Sequence, residues 1–140
     1  MMRALFMLLV LACAAPAALA QDRPCGKAEA ANAEKSIDRV TSWPQLQKAF
    51  KDFRHCDSVA AVADLYSETV VRLIVDWKNV DAFVAEMQSA PFKAFVIEHL
   101  KRPVAKDDLD SVYSRVKASC PAKHEAFCAE LAEIVKAANK

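Results

Sequence analysis

The sequence predicts an all-α fold: a compact bundle of six or seven short helices around a central one, cross-linked by disulfides. Three observations carry the prediction. Gly26 is the only glycine among 140 residues, so β-hairpins and glycine-rich phosphate loops lack the residue that tolerates positive φ or close backbone approach. Apolar residues recur at three- and four-residue spacing in one segment after another. Prolines and N-capping residues gather at the junctions between those stripes.

The central helix is expected from Ser58 to Trp77, where Val59, Val62, Ala63, Tyr66, Val70, Leu73, Ile74 and Trp77 form one broad apolar face. Leu65, Val71 and Val75 add apolar flanks, so contact from more than one side is expected. Asp57 and Ser58 supply N-cap chemistry just ahead of the stripe.

The first twenty residues read as a secretory signal rather than as part of the bundle. Arg3 is a short positive n-region, Ala4 to Ala15 is apolar, and Ala18-Leu19-Ala20 is an A-x-A cleavage site before Gln21. Lipidation of Cys13 is the minor alternative. Cleavage leaves residues 21–140 as a single helical domain, with 18 basic and 18 acidic residues. A neutral chain with interspersed signs carries no electrostatic footprint for nucleic acid and no polybasic run for a membrane surface.

Four cysteines remain: Cys25, Cys56, Cys120 and Cys128. In an exported chain an even number predicts two disulfides. Pro121 holds Cys120 extended, which favours Cys25–Cys56 with Cys120–Cys128. Cys56–Cys120 with Cys25–Cys128 stands as the rival.

Taken in order, Lys27 to Val40 predicts a helix whose thin stripe is Ala30, Ala33, Ile37 and Val40. Ser42 with Gln45 reads as a capping box, with Pro44 tolerated in the first turn; Leu46, Ala49, Phe50 and Phe53 follow, and the helix ends near His55. After the central helix, Asn79 caps a short helix bearing Val80, Phe83, Val84 and Met87, with Asp81 favourably near its N-terminus. Ser89-Ala90-Pro91 opens another, carrying Phe92, Phe95, Val96 and Leu100, closed by Arg102-Pro103. Asp107, with Asp110 as box partner, is expected to cap the helix of Leu109, Val112, Tyr113 and Val116. Past Cys120-Pro121, the last helix presents Phe127, Cys128, Leu131, Ile134 and Val135.

No catalytic, cofactor or metal set emerges. His55-Cys56-Asp57 places a base beside a thiol, but adjacent residues point apart, and a bridged Cys56 is inert. His55, His99 and His124 lack metal spacing, and His124-Glu125 lacks the second histidine of a zincin helix. They read as surface or helix-end histidines, His99 in a last turn. Trp43, Trp77, Phe92 and Phe95 read as core before ligand pocket.

Cys56-Asp57, the run from Asp64 to Ile74, the run from Pro91 to His99, and Cys120-Pro121 with Cys128 are similar to a group of uncharacterised small exported proteobacterial helical proteins. That similarity spans most of the chain after the leader and implies no activity. In class alone, as an exported, small, helical and disulfide-linked protein, the chain resembles the periplasmic immunity proteins of type VI secretion amidase effectors. No binding residue carries over from that family.

The expected function is therefore that of a periplasmic or secreted non-enzymatic binding protein, of the inhibitor or immunity type, with a protein partner in the cell envelope. A periplasmic carrier of a small apolar ligand is the alternative. Asp64, Glu68 and Arg72 make the longest regular charged row on the central helix, and are expected to be accessible and to meet the partner. Glu68 and Arg72 are spaced for a helix ion pair.

Overall fold

The computed structural model describes residues 23–102 and 104–140. The expected signal sequence, with Cys13, lies outside the described residues. Seven helices follow one another: α1 (Lys27–Asp38), α2 (Trp43–Phe53), α3 (Ala60–Asp76), α4 (Val80–Glu86), α5 (Ala90–Lys101), α6 (Lys106–Ala118) and α7 (Glu125–Ala138). Two 3₁₀ turns, Arg54–Cys56 and Ala122–His124, lead into α3 and α7. Among the described residues there is no strand, and no helix is long and apolar enough to cross a membrane.

The predicted stripes are the core. Helix α3 packs against α1, α5 and α6, while α6 pairs with α7 and α2 with α4. Its residues Val62, Ala63, Tyr66, Val70, Leu73 and Ile74 are buried against Ala33 and Ile37 of α1, Phe95 and Val96 of α5, and Val112 and Val116 of α6, all in one cluster. A helix contacted on three sides has to be apolar around more than one stripe. Val71 is accordingly buried, and Leu65, Val75 and Trp77 half-buried. Trp43 stacks on Phe83 with centroids 3.7 Å apart, joining α2 to α4. Tyr66, Phe95 and Phe50 meet at centroid separations of 4.8 Å, joining α3, α5 and α2. Of the aromatics weighed as pocket walls, Trp43, Phe92 and Phe95 are thus packed against aromatic neighbours in the core.

Several helix starts differ from expectation, and in most of them another residue took the expected capping group. Helix α3 begins at Ala60 with Val59 as an N-cap that makes no side-chain bond; the Asp57 carboxylate instead accepts from Arg102 at 3.2 Å. Gln45 accepts from the Thr41 N–H at 2.8 Å rather than closing a box with Ser42. Helix α6 starts from Ala105, leaving Asp107 and Asp108 in its first turn, where they suit the helix dipole. Asp110 accepts from Asn139 of the C-terminus instead of serving as a box partner. Asn79 does cap α4, accepting from the Ala82 N–H at 3.2 Å with φ of 53°. Trp77 ends α3 in the same left-handed region, at φ 48°, which disfavours a bulky side chain. Its indole N–H donates to the Ser119 carbonyl at 2.7 Å, fixing that conformation against the end of α6.

Both disulfides form in the favoured pairing. Cys25–Cys56 ties the segment before α1 to the turn before α3, across 31 positions, and Cys120–Cys128 ties the α6–α7 junction to α7 across 8. The rival connectivity is thereby excluded. Loop-closure entropy for so short a ring predicts that Cys120→Ala with Cys128→Ala lowers unfolding free energy by about 2.5 kcal/mol. A urea titration of the double variant checks this, the midpoint falling with little change of slope.

Candidate functional site

The outer side of α3 faces solvent where its apolar phase ends. Asp64, Glu68 and Arg72 stand there at four-residue steps, all exposed. One step round the helix, Ser67, Val71 and Val75 form the floor of a groove of about 690 Å³. Its other wall is the α5–α6 connection and the start of α6, with Arg102, Val104, Ala105 and Asp108. The charged row predicted as a ridge is thus one bank of a cleft whose far bank lies some forty residues on, and spacing along one helix gives no sign of it.

The expected Glu68–Arg72 ion pair is absent among the described residues. The Arg72 guanidinium donates instead to the Thr69 hydroxyl at 3.4 Å. Asp64, Glu68 and Asp108 likewise have no cation within ion-pair distance among the described residues. Arg102 is answered, by Asp57 at 3.2 Å and Glu98 at 3.8 Å.

Beneath the groove runs a buried polar chain. His99, expected as a surface or helix-end histidine, does lie in the last turn of α5 but is fully buried, and its Nδ1 lies 2.9 Å from the Ser67 hydroxyl. Its Nε2 faces Asp57 Oδ1 at 3.4 Å, an approach that stops short of a hydrogen bond, so both atoms lack a formal partner. A ring with its hydrogen on Nε2 suits both neighbours, pointing N–H at the carboxylate and accepting the Ser67 O–H at Nδ1. Ser67 also has the Ala63 carbonyl within 3.1 Å, the usual second choice of a mid-helix serine. The correction has a simple cause: His99 follows Phe95 by four and Val96 by three, in phase with the buried stripe of α5.

Serine, imidazole and carboxylate in line are the elements of nucleophile activation. Acyl transfer also needs an accessible oxygen and N–H donors aimed at an oxyanion. Ser67 is only 7% exposed and sits mid-α3, where backbone N–H groups are committed to the helix ladder. The chain therefore joins α3, α5 and the turn before α3 without assembling that machinery.

The remaining histidines are half-buried and tied to carboxylates. His55 Nε2 lies 3.5 Å from Glu29 and 3.1 Å from Arg23. The Gly26 N–H first, then Arg23 and His55, hold the Glu29 carboxyl below its ordinary range. Cys25, His55 and Cys56 bring three metal-type donor atoms within 4.8 Å, but the two sulfurs are bonded to each other and are not thiolates. His124 and Lys123 both meet Asp81, at 2.6 and 2.8 Å, linking the α7 entrance to α4.

Hydrogen bonds from Lys123, then His124, lower the Asp81 carboxyl from 3.8. A depressed folded value means its stabilising contribution is complete above the unfolded value and is lost as pH falls through the folded one. Carboxyl NMR titration should therefore place the Asp81 midpoint below 3.8, and Lys123→Ala should move it back up.

Compared with protein-family models, with curated proteins and with solved structures, the chain finds no match.

Proposed function

We propose that the protein is an exported, non-enzymatic binding protein of the inhibitor or immunity type, which recognises a protein partner in the cell envelope through the α3 groove. The observation that carries this reading is the groove itself: exposed charges without ionic partners among the described residues, lined up on the most enclosed helix of the bundle, above an apolar floor. A rigid backbone lets such charges set register while the apolar floor supplies burial. Two intramolecular disulfides suit an oxidising compartment outside the cytosol. The small-ligand carrier reading has less support, because Trp43, Phe92 and Phe95, three of the four aromatics weighed for its pocket, pack on aromatic neighbours in the core.

The test is a photo-crosslinking residue in place of half-buried Val75, in protein expressed in its source cells. A protein adduct is expected, and Asp64→Lys with Glu68→Lys should abolish it while changing folding stability by no more than about 0.5 kcal/mol, as is usual for surface positions. A folded double variant that still forms the adduct reduces the row to a solvated face. A fluorophosphonate probe on the same protein should leave Ser67 unlabelled; labelling that depends on His99 would replace binding by hydrolysis as the function.

A further inference from the structure

The sign and shape of the groove restrict what can fill it. We propose that its occupant is a short basic segment of the partner protein. Lysine or arginine side chains would sit against Asp64, Glu68 and Asp108, and an apolar side chain on Val71, Val75 and Val104. This rests on the binding reading above and adds the chemistry of the partner.

Three features converge on it. The first is unanswered charge. Three carboxylates line the cleft without a cation within ion-pair distance among the described residues, whereas Arg102 is held by Asp57 and Glu98. Among the described residues that line the cleft, Arg72 alone is left to balance them, so the cleft favours a cation although the whole chain is close to neutral, at +1. The second is the floor. Val71 is buried, while Val75 and Val104 are half-buried, offering a small apolar seat between the two charged banks. A metal ion or a free polyamine would leave that seat empty. The third is size. From Asp64 to Val75 the helix advances roughly 16 Å, the reach of about five extended residues. A volume of about 690 Å³ suits a few side chains rather than the whole face of a helix. Partner selectivity would then come from acidic banks that repel an acidic segment as well as attract a basic one.

The probes are three fluorescent pentapeptides with blocked ends: KLKAK, the same with glutamate for each lysine, and KSKSK. Binding is read at physiological salt by fluorescence anisotropy and by amide shifts of the labelled protein. KLKAK is expected to bind and to shift amides of residues 64–75 and 104–108. Asp64→Asn, Glu68→Gln and Asp108→Asn together should weaken it at least tenfold, with the helical spectrum unchanged. KSKSK should bind at least fivefold more weakly, and the acidic peptide not at all. Added salt should weaken KLKAK binding, because exposed pairs are screened. The proposal is overturned if the acidic peptide binds as well, if the triple variant binds KLKAK unchanged, if the shifts fall elsewhere, or if KSKSK or spermine equals KLKAK. Loss of the Val75 adduct on charge reversal, together with indifference to KLKAK, would leave the recognition surface standing and reject its basic occupant alone.

Discussion

Tyr66→Ala is expected to lower the unfolding free energy by about 3–5 kcal/mol, the range for truncating a buried aromatic. Tyr66 is fully buried at the crossing of α3, α5 and α2. Its ring meets Phe95 edge-on at 4.8 Å and His99 at 5.5 Å, and its hydroxyl donates to the Ala49 carbonyl at 2.9 Å. Truncation removes all three contacts and opens a cavity between helices that are each packed elsewhere and cannot close on it. Tyr66→Phe separates the contributions: it keeps the ring, loses one neutral hydrogen bond, and should cost only about 1 kcal/mol. Urea unfolding of both variants reads the difference, and a Tyr66→Ala cost below that of Tyr66→Phe would refute the packing described.

The same side chain predicts an alkaline limit. Burial first, then the charges of Asp57 and Asp52, push the Tyr66 hydroxyl well above its ordinary value of 10.0. A raised folded value means the contribution is whole below the unfolded value and is lost as pH rises beyond it. Stability should therefore begin to fall above roughly pH 10, the ordinary tyrosine value, and fall less steeply in Tyr66→Phe.

Helix periodicity is a local property, which is why the seven helices and nearly all of the core were legible in the sequence. A residue such as Val70 or Leu100 needs only its own helix to reveal which way it faces. The exposed row of Asp64, Glu68 and Arg72 was legible for the same reason, as the complement of the α3 stripe. What stayed hidden depends on who sits across. Asp57 looks like a helix cap until Arg102, 45 positions later, takes its carboxylate. The far bank of the groove at Val104 and Asp108 exists only once α6 lies beside α3. Arg72 turns to Thr69 rather than Glu68, a choice worth only tenths of a kcal/mol either way in water. The burial of His99 and Ser67 did have a local signal. Both fall in phase with apolar stripes, Ser67 four residues after Ala63 and His99 four after Phe95. A polar residue inside an apolar phase is a reason to look for a second one on the facing helix.

That facing pair supports the other large effect. His99→Ala is expected to cost about 3–5 kcal/mol, the range for truncating a large buried ring. The ring packs edge-on against Phe95 at 4.3 Å, so its loss leaves a cavity. It also leaves the Ser67 hydroxyl without its 2.9 Å partner and the buried Asp57 Oδ1 without the imidazole edge that faces it. His99→Leu fills most of that space and isolates the polar part of the cost. Adding Ser67→Ala to His99→Leu should then change little, because without the imidazole the Ser67 hydroxyl falls back on the Ala63 carbonyl at 3.1 Å. A double-mutant cycle of His99→Leu with Asp57→Ala measures the remaining link. Groups in direct contact couple by about 0.5–3 kcal/mol, whereas independent sites add to within about 0.5. The expected coupling is above 1 kcal/mol on that scale, since Arg102 holds the Asp57 carboxylate from its other side and keeps it aimed at the ring. Simple additivity would mean that the 3.4 Å approach of His99 to Asp57 is proximity without energy, leaving Arg102 as the polar link between the end of α5 and the α3 entrance.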